Sequence, residues 1–213
     1  MAEVELRQIG TYHITELLHE SSTSVFYRSK HRKKDVIIKR LTIPLSTNEQ
    51  KEAFLWRARQ LKKLKERRIV HIIDVNFDGD YGYLVMEYGA AEDWQPMQPS
   101  SRFSPSDVRG LLSPLADALH YAHVHNIWHG NLHPAHVLTD GRNNILLTEF
   151  ALTAPASSLM LEDDTPAIPY MAPEALRGQP GAASDQYALA VMVYEWLCGQ
   201  RPYSGTTREQ LLQ

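Results

Sequence analysis

His129-Gly130-Asn131-Leu132-His133-Pro134-Ala135-His136-Val137-Leu138 is the stretch on which the reading of this 213-residue chain turns. A polar loop rich in histidine runs here into a short β-type segment, 137–139, and a turn at Asp140-Gly141 leads to a second one, 145–147. Glu149-Phe150-Ala151 follows directly, 18 positions after Asn131. Upstream, Val108, Leu111, Leu112, Leu115, Leu119 and Tyr121 recur at helical spacing and predict a long amphipathic helix. Downstream, a loop rich in Pro, Ala and Ser over 153–169 precedes an apolar helix that begins near Ser184.

The N-terminal part has a different texture. Short β-type runs at 12–18, 25–29, 36–41, 69–75 and 83–88 predict an antiparallel five-stranded sheet. Ser46 with Glu49 reads as a capping box, and Phe54, Ala58, Leu61 and Leu64 then fall on one helix face, so one helix follows the third strand. The order is a small sheet lobe, 1–88, and a mainly helical lobe, 89–213, with the loop 130–136 at their junction. A Pro- and Gln-bearing connector, 93–104, follows the first lobe.

Charge is divided the same way. Residues 1–80 hold 16 Lys and Arg against 11 Asp and Glu, whereas 81–213 hold 6 against 14, and no lysine follows Lys65. Basic residues gather at Lys30 to Lys34 and again at Arg57, Arg59, Lys62, Lys63, Lys65, Arg67 and Arg68. Such groups suit an acidic lipid, nucleic acid or acidic partner, or form the solvated face of a helix and a charged hairpin turn. The solvated-face reading is the simpler, and nucleic acid is not the expected partner. The apolar run 187–198 is interrupted by Glu195, is shorter than a membrane span and reads as a buried helix. No signal-peptide pattern opens the chain, and the lone Cys198 has no internal disulfide partner, so a cytoplasmic setting is expected.

Several motifs stand in one order: Val36-Ile37-Ile38-Lys39, the loop from His129, Glu149-Phe150-Ala151, Ala172-Pro173-Glu174, and Ser184-Asp185 opening the last long helix. Together they resemble the eukaryotic-like protein kinase family in its bacterial Ser/Thr form. The resemblance implies an α+β bilobal fold, with a helical lobe whose last helices would lie beyond Gln213. Such a domain binds ATP with a divalent metal, and here Lys39, Glu87, Tyr88 and Glu149 would meet the nucleotide.

Where the family pattern supplies the chemistry, this chain departs from it. Asn131 occupies the place of the catalytic Asp, and an amide does not accept a proton at neutral pH. His136 occupies the place of the metal-binding Asn, and a neutral imidazole is a poor ligand for magnesium. The segment matching the phosphate loop, 19–26, has no glycine and carries Glu20; Phe26 and Ile37 enlarge the adenine roof. Arg57 aligns with the helix Glu that would pair with Lys39, so Arg57 turns outward or Lys39 takes another carboxylate, Glu149 being the obvious one. Gly130 replaces an Arg that reads activation-loop phosphates, which leaves Thr153, Ser157, Ser158 and Thr165 without that receiver.

Scaffold positions follow the family. His129, Phe150, Leu61 and Asp185 fall on its packing column, while Glu174 would lack its usual arginine. The six histidines from His120 to His136 read as packing residues; a zinc or manganese site at His136 and Glu149 needs a third ligand that the sequence does not name. The expectation is a catalytically impaired pseudokinase acting through a protein partner, with no cofactor. Residual phosphoryl or nucleotidyl transfer with ATP and a divalent metal is the alternative, and a non-functional kinase fragment is a third.

Overall fold

In the computed structural model, residues 8–21, 23–87, 95–97, 102–140, 144–152, 166–205 and 207–212 are described. The chain divides into two units, one drawn from 1–64 and 70–91 and the other from 65–69 and 92–213.

Alternation of side chains builds the sheet of the first unit. Its strands are β1 (Gln8–Ile9), β2 (Tyr12–Glu20), β3 (Ser24–His31), β4 (Lys34–Leu41), β5 (Ile72–Asp78) and β6 (Tyr81–Glu87). All neighbours are antiparallel, in the order β1-β2-β3-β4-β6-β5. The five strands expected become six because Gln8 and Ile9 pair back on His13 and Tyr12, a contact too short to leave a periodic signal. One sheet face buries Ile9, Tyr12, Val25, Tyr27, Val36, Ile38, Tyr83 and Val85 as a cluster. Odd and even positions separate cleanly, so Phe26, Arg28, Ile37 and Lys39 belong to the opposite face.

Helix α1 (Asn48–Lys63) follows β4 and buries Phe54, Ala58 and Leu61. Its cap is Thr47, whose side chain accepts from the Gln50 N–H while Gln50 returns the bond, one position later than Ser46 and Glu49 predict. Phe54 packs on Phe77, with centroids 5.5 Å apart, and fits because β6 has Gly82 beneath it. A Cβ at Gly82 would stand 2.7 Å from the Phe54 ring.

The second unit is mainly helical, with α2 (Pro105–Val124), α3 (Pro173–Leu176), α4 (Ala182–Cys198) and α5 (Arg208–Leu211), and a small sheet β7-β8-β9 (Gln95–Pro96, Val137–Thr139, Ile145–Leu147). Helix α2 starts at a Ser104–Asp107 capping box and buries Val108, Leu111, Leu115, Ala118, Leu119 and Ala122. Ile69, expected within a strand of the first sheet, instead bridges Leu147, and β5 starts three residues later. Helix α4 packs against α2, buries Ala188, Val191, Met192 and Trp196, and ends at Gly199, which takes the left-handed φ of 74°. It is not buried all round, since Tyr194 and Leu197 are exposed.

Candidate active site

Asp185, in the first turn of α4, is 1% exposed and organises the loop from His129. Its Oδ2 accepts the backbone N–H of His129 at 2.7 Å and Nε2 of His123 at 2.8 Å, and its Oδ1 accepts the Gly130 N–H at 2.8 Å. Three donors compensate one buried carboxylate, which is the condition under which burying a charge is tolerated. Gly130 itself has φ 72°, a conformation open to glycine and costly for the arginine it replaces.

The hydrogen bonds also fix the tautomers. His129, fully buried, donates from Nε2 to the Thr148 carbonyl at 2.8 Å and accepts the Asn131 N–H on Nδ1 at 3.3 Å, so it is neutral. His136 donates from Nδ1 to the Asn131 carbonyl at 2.8 Å. Its own carbonyl accepts the Thr148 N–H and hydroxyl, which ties the loop to the segment that carries Glu149. Asn131 is therefore locked through its backbone at both ends. It borders a cavity of about 20 Å³, room for a single water, whose wall includes Leu132, Tyr170, Ala172 and Ser184.

Rings continue this arrangement as a column. Phe150 packs on His129 at 4.5 Å, His129 stacks on His136 at 6.2 Å, His136 meets His133 at 3.8 Å, and His133 stacks on Tyr170 at 6.2 Å. Burial pushes His133 down to about 2, with His136 and His129 adding to the effect. The Tyr170 hydroxyl donates to Glu195 at 2.6 Å, and burial followed by that carboxylate raises it well above the usual phenol range. No sequence pattern singled out His133; only its surroundings make it distinctive.

Glu149 is half-buried and has φ 61°, one of four non-glycine residues with positive φ among those described. The zinc or manganese reading of His136 with Glu149 needs a third ligand, and no group of three or more His, Cys, Asp or Glu side chains placed to hold a metal occurs among the described residues. Glu174, expected to lack its usual arginine, accepts the Ser184 hydroxyl at 2.7 Å, and Ser184 in turn accepts the Gly181 N–H.

In the first unit, Lys39 is half-buried opposite Phe26 in the β3–β4 register, and its ammonium lies 5.6 Å from the Phe26 ring centre. The same ring leans on His19 at 6.1 Å. Ile37 stands between Arg28 and Met86 in register. Arg57 lies on α1 between Phe54 and Leu61 and is half-buried. Glu87 is exposed at the end of β6, its N–H on the His71 carbonyl; Tyr88 and the four hydroxyl residues from Thr153 to Thr165 lie outside the described residues.

The β2–β3 turn closes on itself. The Ser21 N–H and hydroxyl both donate to the Ser24 carbonyl at 2.9 and 3.0 Å, and the Ser24 N–H donates back to the Ser21 hydroxyl at 3.1 Å. These two backbone donors are thus engaged within the turn.

Comparison with known proteins agrees with the layout of both units. The protein kinase domain model matches residues 12–213. CBL-interacting serine/threonine-protein kinase 21 of Arabidopsis thaliana is 32% identical over 152 residues, 70% of this chain and 36% of that protein. CBL-interacting protein kinases 1 and 21 of Oryza sativa subsp. japonica are 32% and 30% identical over 150 and 160 residues, which are 67% and 72% of this chain and 32% and 30% of theirs. The matched part is about a third of the length of these relatives. A sheet unit with one long helix, a helical unit with its loop held by Asp185, and this match lead to one conclusion: the chain belongs to the protein kinase domain family.

Proposed function

We propose that this kinase domain is catalytically impaired and acts by binding a protein partner. The observation that carries the reading is the contrast at the loop: Asp185, His129 and Gly130 assemble it completely, yet it presents Asn131 where a general base belongs. Losing a positioned base alone lowers the rate by about 10² to 10⁴. The β2–β3 turn supports the same reading, because Ser21 and Ser24 spend on each other backbone donors of the kind a phosphate loop offers to a nucleotide. With these donors engaged, Ser21 and Ser24 do not suit a cradled triphosphate. Among the described residues no helix is long and apolar enough to cross a membrane. A cytoplasmic setting and kinship with the bacterial branch are part of the same proposal. The relatives named for interaction with CBL are plant proteins, and that name suggests only that kinase domains of this kind work alongside protein partners.

A second reading, residual nucleotide chemistry, draws on one observation: Lys39 is retained in β4 at its family position. Thermal unfolding with millimolar ATP, in EDTA and then with magnesium, manganese or zinc, separates the two, since a ligand of the folded state must raise apparent stability. The proposal expects no shift and no phosphorylation of a generic protein substrate. A shift abolished by Lys39→Ala and weakened by Glu149→Ala, with Lys39-dependent phosphate transfer, would overturn it.

A further inference from the structure

The β3–β4 hairpin breaks a local rule of its own turn. His31 pairs with Lys34, leaving a two-residue loop in which Arg32 and Lys33 have φ of 48° and 67°. Positive φ at both loop residues is the type I′ geometry, for which Asn-Gly is the favoured sequence and long side chains are unfavourable. Here the tip reads Lys30-His31-Arg32-Lys33-Lys34, with Asp35 the first acid to follow. Lys30, Arg32, Lys33 and Lys34 are all exposed, and none is ion-paired with a described residue. Three other cations of this unit are matched, Arg28 with Glu16 at 3.2 Å, Arg40 with Asp78 at 3.3 Å and Lys51 with Asp80 at 2.7 Å, whereas Arg59 and Lys62 on α1 have no ion pair with a described residue. Four like charges therefore cluster at the end of this hairpin; two of them, Arg32 and Lys33, occupy a turn that disfavours long side chains, and Asp35 stands opposite Lys30 in the register.

From this conflict we infer that the β3–β4 tip is a contact surface for an anionic lipid bilayer. The tip has no large exposed apolar side chain to act as an anchor, whereas protein interfaces centre on buried aromatic and Arg anchors and are depleted in Lys. Three of the four charges are lysines, point charges that suit a plane of many headgroups better than one oriented ligand. Five residues of hairpin extend on the order of 10 Å, enough for two or three phosphates of a nucleic acid and too few for a tracked backbone. A bilayer feels only charge within a Debye length, about 8 Å at physiological salt, so the acidic balance of the remaining chain opposes it weakly. The inference stands independently of whether phosphate is transferred.

Sedimentation of the full chain with phosphatidylcholine vesicles holding 30% phosphatidylserine, about a third of the lipid, tests it against vesicles of phosphatidylcholine alone. Binding is expected to the anionic vesicles only and to vanish in high salt. Arg32→Asn with Lys33→Gly removes two charges and should lower partitioning about 30-fold, taking about 1 kcal/mol per charge. Because that pair suits the turn, its urea midpoint rises or holds, and loss of binding cannot come from unfolding. Lys30→Gln with Lys34→Gln should act similarly. Equal binding to neutral vesicles, no binding to either, unchanged binding by both variants, or tighter binding to a DNA duplex than to the anionic vesicles would each overturn the inference.

Discussion

The Asp185 carboxylate accepts the Gly130 N–H at 2.8 Å, and through the same side chain it also holds His129 and His123. Asn in its place keeps one accepting oxygen but turns an NH2 toward the donors that the other oxygen served. Asp185→Asn should therefore destabilise by about 2 to 4 kcal/mol in urea unfolding, with His123→Phe costing about 1 kcal/mol. A loss below about 0.5 kcal/mol for Asp185→Asn would show that the loop has another anchor.

Acid sensitivity follows from His133. Folded, its pKa is near 2; unfolded, it returns to the ordinary 6.5. Between those values the unfolded chain binds the extra proton, so stability is unaffected above about pH 6.5 and declines as pH falls below it. By pH 5 the loss from this one residue is about 2 kcal/mol. His133→Phe should flatten the curve of melting temperature between pH 7 and pH 5, while a parallel slope in the variant would assign the sensitivity elsewhere.

Glu149 holds a left-handed backbone that Asn adopts more readily than Glu. Replacing it with Asn should raise the unfolding free energy by about 0.5 to 1 kcal/mol. A decrease would mean that the contacts of the Glu149 side chain outweigh its backbone strain.

Gly82 makes the opposite test. The Phe54 ring occupies the space of a Cβ at that position, so Gly82→Ala must displace the ring from its contact with Phe77. A cost of about 1 to 3 kcal/mol is expected. Gly82→Ala combined with Phe54→Leu should recover part of it, and additive losses would indicate that the two sites do not communicate.

Much of this architecture was legible because the signals were local and repeated. The β-branched run through Val36, Ile37 and Ile38 and the helical spacing of Phe54, Ala58 and Leu61 are each signals within one short window. Errors arose where two local readings were equally good. Ser46 with Glu49 and Thr47 with Gln50 both form a capping pattern, and only the helix geometry selects the second. The apolar run from Ile69 looked like one strand, yet Ile69 pairs with Leu147 and Ile72 with Met86 in different sheets. At the site, the residues that replace Asp and Asn could be read from the loop, whereas the burial of His133 and the partner of Glu174 depend on distant elements. The closed serine turn was hidden for another reason: serine hydroxyls serve caps, turns and solvent alike, and the residue type does not say which.

The hold of α4 on the loop acts on its main chain. Gly130 takes its position from a residue 55 places further along the chain, and Asn131 and His136 join through main-chain oxygen and a ring nitrogen and not through the groups that chemistry would need. The shape of the loop is thus set by the α4 carboxylate and by the His136 ring, while the Asn131 side chain enters none of these bonds. A change of the Asn131 side chain would therefore leave the backbone of the loop where Asp185 and His136 hold it.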